Sequence, residues 1–431
     1  MQEAHDPYAV LRIRDYRLFL AGGILSSIGS EIQAATVLWE IYVRTGSKAA
    51  IGYAGLVMFL PVLLFSLAAG HTADRFSRKW QFLIAQAVMM LGSLGLALVS
   101  FFEGPIPLIY LCLFFSGMSR AFSAPARSSM LPQIIPMSMI GNAVTWSSSG
   151  FHIANVGGPA LFGLAYVWFN HEAAPVYMLA CTCSWLCMIL FFFIQPRPIA
   201  KPTEAPTLAS LFDGVKFVWR TKLLLAAITL DLFAVLLGGA TALLPVFAKD
   251  ILHEGAESAG YLRAAPAVGA LTMGLIIAHW PLIQRRSGPA LLLAVAGFGA
   301  ATIGFGLSTN FWLSLVMLAL TGALDNISVV IRTTLVQTIT PDNMRGRVSA
   351  VNLVFISSSN ELGAFESGIT AEWFGAVESV VGGGIGTIGV VLMSMLLWPQ
   401  LMTLGSLHAK VPTKESEPVI DYEEEEGRPI P

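Results

Sequence analysis

Long apolar runs broken by short polar punctuation repeat along the whole chain. A bilayer-crossing helix needs about 20 mostly apolar residues. Twelve runs meet that length, near residues 18–43, 51–70, 80–102, 106–126, 143–169, 174–195, 223–248, 259–282, 288–308, 311–331, 349–374 and 380–403. The bilayer core holds no water to satisfy backbone polar groups, so each run is expected to be helical. The pattern predicts an all-α membrane protein with twelve transmembrane helices. Residues 196–222 interrupt it with Pro196, Pro198, Pro202 and Pro206 among polar filler, the composition of a semi-rigid linker. The linker separates two six-helix bundles, 18–195 and 223–404.

The bundles are copies in sequence. A shift of 205 positions aligns Gly117 with Gly322, Ser123 with Ser328, Arg127 with Arg332, Ile134 with Ile339 and Pro136 with Pro341. The register continues without a gap through Met139/Met344, Gly141/Gly346, Asn155/Asn360, Gly158/Gly363, Gly163/Gly368 and the pairs Trp168-Phe169 and Trp373-Phe374. Matched Arg, Asn, Pro and Trp are hard to obtain by chance between apolar runs. The chain therefore reads as two parallel six-helix repeats.

Basic residues fall in alternate loops: Arg12, Arg14 and Arg17 before run 1, Arg75, Arg78 and Lys79 after run 2, Arg127 at the end of run 4, Arg285 and Arg286 after run 8, Arg345 and Arg347 after run 10. The opposite loops carry mostly acids, among them Glu103, Glu172, Glu254 and Glu257. By the positive-inside rule both termini, 1–17 and 405–431, are expected in the cytoplasm, with the chain multi-pass in a bacterial-type inner (plasma) membrane. The tail run Glu423–Glu426 reads as solvated and disordered.

Composition narrows the function. Charged residues are 12% and mean hydropathy is +0.69, against roughly a quarter charged in soluble domains, which excludes a soluble fold. A net charge of −2 from well-mixed signs gives no footprint for nucleic acid. Cys181, Cys183 and Cys187 match no zinc spacing, so no metal is expected. The glycines 382–384 and 386 read as a close-packed helix face, and without a following Gly-Lys-Ser/Thr they make no phosphate loop. No H-E-x-x-H or G-x-S-x-G occurs, so the chain is not expected to be an enzyme, and no cofactor is implied.

The segment Gly70-His71-Thr72-Ala73-Asp74-Arg75-Phe76-Ser77-Arg78-Lys79 places four charges in six residues between two apolar runs. An aspartate there suits the positive N-terminal end of a neighbouring helix, and the basic residues suit acids or lipid phosphates. A plain topogenic loop is the alternative. Read as G-x-x-x-D-R-x-x-R-K, the segment resembles the signature loop of the major facilitator superfamily of transporters. That resemblance implies the major facilitator fold, a substrate site at the midplane between halves, and a cytoplasmic latch at Gly70, Asp74, Arg75, Arg78 and Lys79. The counterpart after run 8 has lost the Asp-Arg pair. The segments Arg120–Pro136 and Gln337–Val348 resemble those of bacterial exporters of the enterobactin-exporter and macrolide-efflux type. Gly158-Pro159 and Gly163 resemble the Gly-Pro helix-packing element of antiporters, although the stricter pattern has two glycines after the proline. Leu113 stands where many proton-coupled drug exporters carry arginine.

Ionisable groups inside spans cost about 2.5–3.5 kcal/mol each at a helix centre, so they mark candidate sites. Arg120 and Asp325 are equivalent under the shift and are expected to pair across the halves. Glu31 and Gln33 lie halfway along run 1, Asp231 early in run 7, Glu361 and Glu366 in run 11 beside Asn360. Five acids against one firmly intramembrane arginine predict a negative cavity, suited to protons or cationic amphiphiles. Glu31 as an interfacial carboxylate, Asp231 snorkelling near Lys222 and Glu366 as a structural acid are the alternatives. His152 and Asn155 are further cavity candidates. The expected function is a monomeric secondary active transporter working by alternating access: proton-linked efflux of small amphiphilic compounds such as drugs or siderophores, in contact with membrane lipids. An importer or a lysophospholipid flippase on the same fold, and an intramembrane enzyme or receptor, are the alternatives.

Overall fold

The computed structural model describes residue 6 and residues 8–197, 208–279, 286–341 and 344–405. The loop containing Arg285, most of the proline linker and the acidic tail lie outside the described residues, as do the side chains of Gly70, Asp74 and Arg75. The described chain is helical, with no strand among the described residues: α1 Arg14–Thr45, α2 Lys48–Arg75, α3 Arg78–Phe101, α4 Ile106–Ile134, α5 Ile140–Trp168, α6 Ala173–Phe192, α7 Leu208–Arg220, α8 Lys222–Gly238, α9 Leu244–Val246, α10 Ala256–His279, α11 Ser287–Gly306, α12 Phe311–Ile339, α13 Arg345–Phe374 and α14 Ala376–Leu397.

Local chemistry sets the boundaries. α1 stops at Gly46, whose φ of +65° suits a residue without a side chain, and Ser47 opens α2 by accepting the Ala50 N–H at 3.3 Å. Asn310 does the same for α12, accepting from Trp312 and Leu313 at 3.0 and 3.2 Å. The seventh span is broken. After Gly238 it passes through a 3-10 turn at Ala240–Leu243, the short α9 around Pro245 and a π turn at Phe247–Ile251. Gly239 and Pro245 disfavour continuous helix there, and Ser367 donates to the freed Gly239 carbonyl at 3.4 Å.

The structure corrects the expected linker in one respect. Its second part is α7, which packs on α13 with Gly214 against the Arg347 carbonyl and Asp213 paired to Arg347 at 3.3 Å. An amphipathic pattern in the linker was the missed signal: Val218 is buried while Lys216 and Arg220 are exposed. Run 4 and run 10 also extend further than expected, to Ile134 and Ile339.

The 205-position repeat holds in geometry. α4 and α12 begin and end at matching residues, and α5 and α13 agree to within one. Among the described residues ten helices are long and apolar enough to cross a membrane by those criteria alone. α5 and α13, also a matched pair, are long but more polar, and they are the helices that pack against the opposite half.

Matched positions fill differently. In the first half Gln33 is buried, donating to Ser116 Oγ at 2.9 Å and accepting from Ser93 Oγ at 2.6 Å. The counterparts of Gln33 and Ser93 are Gly238 and Phe298, and a Cβ on Gly238 would lie 2.5 Å from the Phe298 ring. Gln33, expected to face a cavity, is thus an internal tie between α1, α3 and α4. Burial without these partners would cost about 1–3 kcal/mol, so the amide is fully used for packing.

The halves meet through α2 on α13 and α5 on α10. These are one crossing made twice: Gly163 matches Gly368, and Gly55 matches Gly260. A Cβ on Gly368 would lie 2.6 Å from the Gly52 Cα, one on Gly163 2.7 Å from the Glu257 Cα, and one on Gly260 2.5 Å from the Pro159 carbonyl. Glycine permits backbone-to-backbone approach that any side chain would block. Both crossings lie at the end of the bundle opposite the termini. Gly260→Leu and Gly368→Leu should each wedge this end apart, raising the labelling rate of a cysteine introduced at Ser47 by a membrane-impermeant maleimide at least several-fold while the protein remains monodisperse in detergent.

Candidate functional site

Three acid–arginine pairs connect membrane helices among the described residues. Glu31 on α1 pairs with Arg263 on α10 at 3.5 Å, and Arg120 on α4 pairs with Glu361 on α13 at 3.1 Å. Both cross between the halves. The third, Asp231 on α8 with Arg332 on α12, lies inside the second half. Exposure separates them by use. The crossing pairs are partly open, at 30% and 23% for Glu31 and Arg263 and 49% and 21% for Arg120 and Glu361, whereas Asp231 and Arg332 are 7% and 4%. Partly solvated pairs are worth about 0–1 kcal/mol and can break during a cycle. Breaking a buried one costs about 3–5 kcal/mol.

Two expectations are corrected. Arg120 does not pair with Asp325. Asp325 lies within the second half, beside a cavity of about 10 Å³ lined by Asp231, Phe298, Leu324 and Ser328 among others, room for about one water. Equivalence under the repeat gave the two residues matching places in separate bundles, and it is Glu361 that reaches Arg120. The excess of acid is also smaller than expected, because Arg263 pairs with Glu31 and Arg332 with Asp231. Asp231 accordingly pairs with Arg332 instead of snorkelling towards Lys222.

Polar groups seal the end opposite the termini. The Tyr42 hydroxyl donates to Asp250, and Lys249 sits 5.6 Å from the Tyr42 ring centroid. Glu372 at the end of α13 accepts from the Ser47 hydroxyl and from the Lys48 and Ala49 N–H groups at 3.1, 2.7 and 3.0 Å. It thus caps α2 of the other half, where the helix dipole favours a carboxylate. Glu40 anchors the rim by accepting from Tyr177 at 2.7 Å and pairing with Arg44 at 3.2 Å. The terminal end differs. Arg78 donates to Ser129 O at 2.8 Å, and Lys79 donates to Phe192 O and Ile194 O at 2.6 and 2.8 Å, all within the first half. Between described residues, no hydrogen bond or ion pair joins the two bundles at that end. Among the described residues, the polar contacts that join the rims of the two halves therefore lie at the end opposite the termini.

The other candidates are dispersed. Gly158 packs against Glu31, where a Cβ would lie 2.5 Å from the Glu31 Cβ. His152 and Asn155 are half-buried on α5, while Asn360 is exposed on α13 and donates to its own helix at Ile356 O, 2.9 Å. The Glu366 carboxylate accepts a long 3.5 Å bond from the Ser367 hydroxyl, and its backbone carbonyl accepts from the Thr370 hydroxyl at 2.9 Å. Sequence reasoning missed Arg263, although a charge inside run 8 was legible, and Glu372 and Tyr42, which read as unremarkable span ends. Asp231→Asn and Arg332→Gln should each lower stability by about 3–5 kcal/mol, and the double change by less than their sum. Thermal unfolding in detergent measures all three.

Comparison with known proteins gives a consistent result. A family profile described as transmembrane secretion effector matches residues 5–427. Relatives named enterobactin exporter EntS include one from Shigella boydii serotype 18, 26% identical over 390 residues covering 89% of this chain and 92% of its own. Another, from Shigella dysenteriae serotype 1, is 27% identical over 393 residues with the same coverage. Among solved structures, a D-xylose-proton symporter superposes with a TM-score of 0.71 at 14% identity, covering 90% of this chain and 97% of its own. A bacterial homologue of the iron transporter ferroportin in an inward-facing state scores 0.70 at 15% identity, covering 92% and 100%. A symporter shares this backbone while the exporter-named relatives share its sequence, so the backbone alone fixes neither direction nor substrate.

Proposed function

The chain belongs to the transmembrane secretion effector family of major facilitator transporters, and from that membership we propose that it exports small amphiphilic molecules by alternating access, drawing on a proton gradient. It is a multi-pass membrane transporter. The observation that carries the finer reading is the pair of ion bridges spanning the halves, Glu31–Arg263 and Arg120–Glu361. With the termini in the cytoplasm, as the basic loops imply, the sealed end faces outward and the cleft opens inward. Opening outward requires the bridges, the Glu372 cap and the Tyr42–Asp250 contact to separate.

Separation frees two carboxylates in a cleft that then meets the outer medium. In this reading Glu31 or Glu361 takes a proton from the outer medium in that state and loses it to the cytoplasmic side as its arginine pair re-forms, so each return of the halves carries the proton inward. In the outward state we take the loop at Gly70–Lys79 to latch the cytoplasmic end, as its resemblance to the signature loop implies. Among the described residues of that loop, Arg78 and Lys79 bond to their own half. The enterobactin-exporter relatives favour outward movement of a siderophore-like or drug-like molecule.

Reconstitution into proteoliposomes with an imposed pH gradient tests this. Transport by the native chain should follow the gradient. Glu31→Gln and Glu361→Gln should each lower gradient-driven transport at least tenfold while leaving substrate exchange without a gradient within about threefold. Gradient-independent transport by the native chain would remove the proton from the proposal.

A further inference from the structure

Arg127 and Arg332 occupy one position of the repeat, and among the described residues only Arg332 is paired with an acid. Arg332 is 3% exposed and bridged to Asp231. The residue matching Asp231 in the first half is Ser26, whose hydroxyl donates to Gln86 Oε1 at 3.3 Å. No carboxylate pairs with Arg127 among the described residues.

What surrounds Arg127 holds its shape without balancing its charge. The guanidinium lies 5.4 Å from the Phe19 ring centroid, in a notch over Gly23 where any Cβ would collide with it. The nearby Tyr16 hydroxyl donates to Ala143 O at 2.7 Å. A cation–π contact contributes about 0.5–2 kcal/mol, well short of a counter-ion's effect in a desolvated setting. Arg127 remains partly exposed, unlike Arg332. It follows Arg120 by seven residues on α4, which returns it to nearly the same side of the helix about 10 Å along the axis. Arg120 crosses the cleft to Glu361. That spacing together with its partial exposure puts Arg127 beside the cleft, between that bridge and the terminal end.

We propose that Arg127 anchors an organic oxyanion, a carboxylate above all, on the transported molecule, with the substrate supplying the acid that Ser26 does not. This rests on the transport reading and adds a substrate class to it: acidic amphiphiles, their anion at Arg127 and their apolar part along the cleft. The two cleft-crossing arginines are occupied by protein carboxylates, so an incoming anion meets Arg127 first.

The test uses a matched pair of probes, a dansyl amino acid and its methyl ester, with dansyl fluorescence reporting binding to the purified full-length protein. The native chain should bind the acid at least tenfold more tightly than the ester. Ser26→Asp, which recreates the Asp231–Arg332 arrangement, should abolish the preference while raising or preserving the unfolding temperature. Arg127→Gln should abolish it without changing ester affinity, and Arg127→Lys should retain part of it. Equal affinity for acid and ester in the native chain, including no measurable affinity for either, overturns the proposal, as does an undiminished preference in Ser26→Asp. A purely structural Arg127 predicts that last result. Acid-selective binding with no movement of the probe into proteoliposomes would instead count against transport and leave the anchor standing.

Discussion

A charge placed inside a membrane bundle must be compensated, and the positions of the acid–arginine pairs govern how this molecule is built. A lone ion at a helix centre is costly, so each arginine drags an acid, a ring or a solvated cleft to its side. Asp231 and Arg332 meet that demand by mutual burial, which fastens α8 to α12. Glu31–Arg263 and Arg120–Glu361 meet it between the bundles, where partial solvation weakens the attraction. Glycine crossings bring the backbones close enough for those bridges to form. Dispersion and close packing hold the contact; the ions make it conditional on charge.

The twelve spans, the duplication and the family were legible in the chain because each leaves a signal in one dimension. Span length is fixed by bilayer thickness, and the repeat survives as matched Arg, Asn, Pro and Trp. The pairing of charges was not legible. Arg120 and Asp325 share a repeat position, which places them in different bundles at equivalent sites and says nothing about contact; the true partner, Glu361, comes from a helix packed across the cleft. Gln33 failed for a related reason. Its direction depends on helix rotation, and only Ser93 and Ser116 converging on it reveal that it points inward. Glu372 was hidden by its place at a span end, where an acid looks like an ordinary interfacial residue until its three donors from the other half are seen.

Duplication also explains why the two halves differ most where polar groups sit. A repeated backbone needs the same crossings and the same helix ends, and those are kept: Gly163 with Gly368, Gly55 with Gly260, α4 with α12. Interior contents are free to diverge provided volume and hydrogen bonding balance. Gln33 with Ser93 in one half and Gly238 with Phe298 in the other are two fillings of one space, the first polar and tied by hydrogen bonds, the second apolar and filled by a ring.

The same reasoning separates scaffold from function. A substitution that keeps its space filled and its polar atoms satisfied, such as glutamine for glycine opposite a serine for a phenylalanine, leaves no unbalanced charge and needs no ligand. The exchange of Asp231 for Ser26 opposite a retained arginine is of another kind, since the second half closes its electrostatic account internally and the first does not. Where a duplicated position keeps a cation and loses its anion beside the cleft, a ring and partial solvation hold the charge without neutralising it, and the symmetry-broken residue becomes the place to look for selectivity.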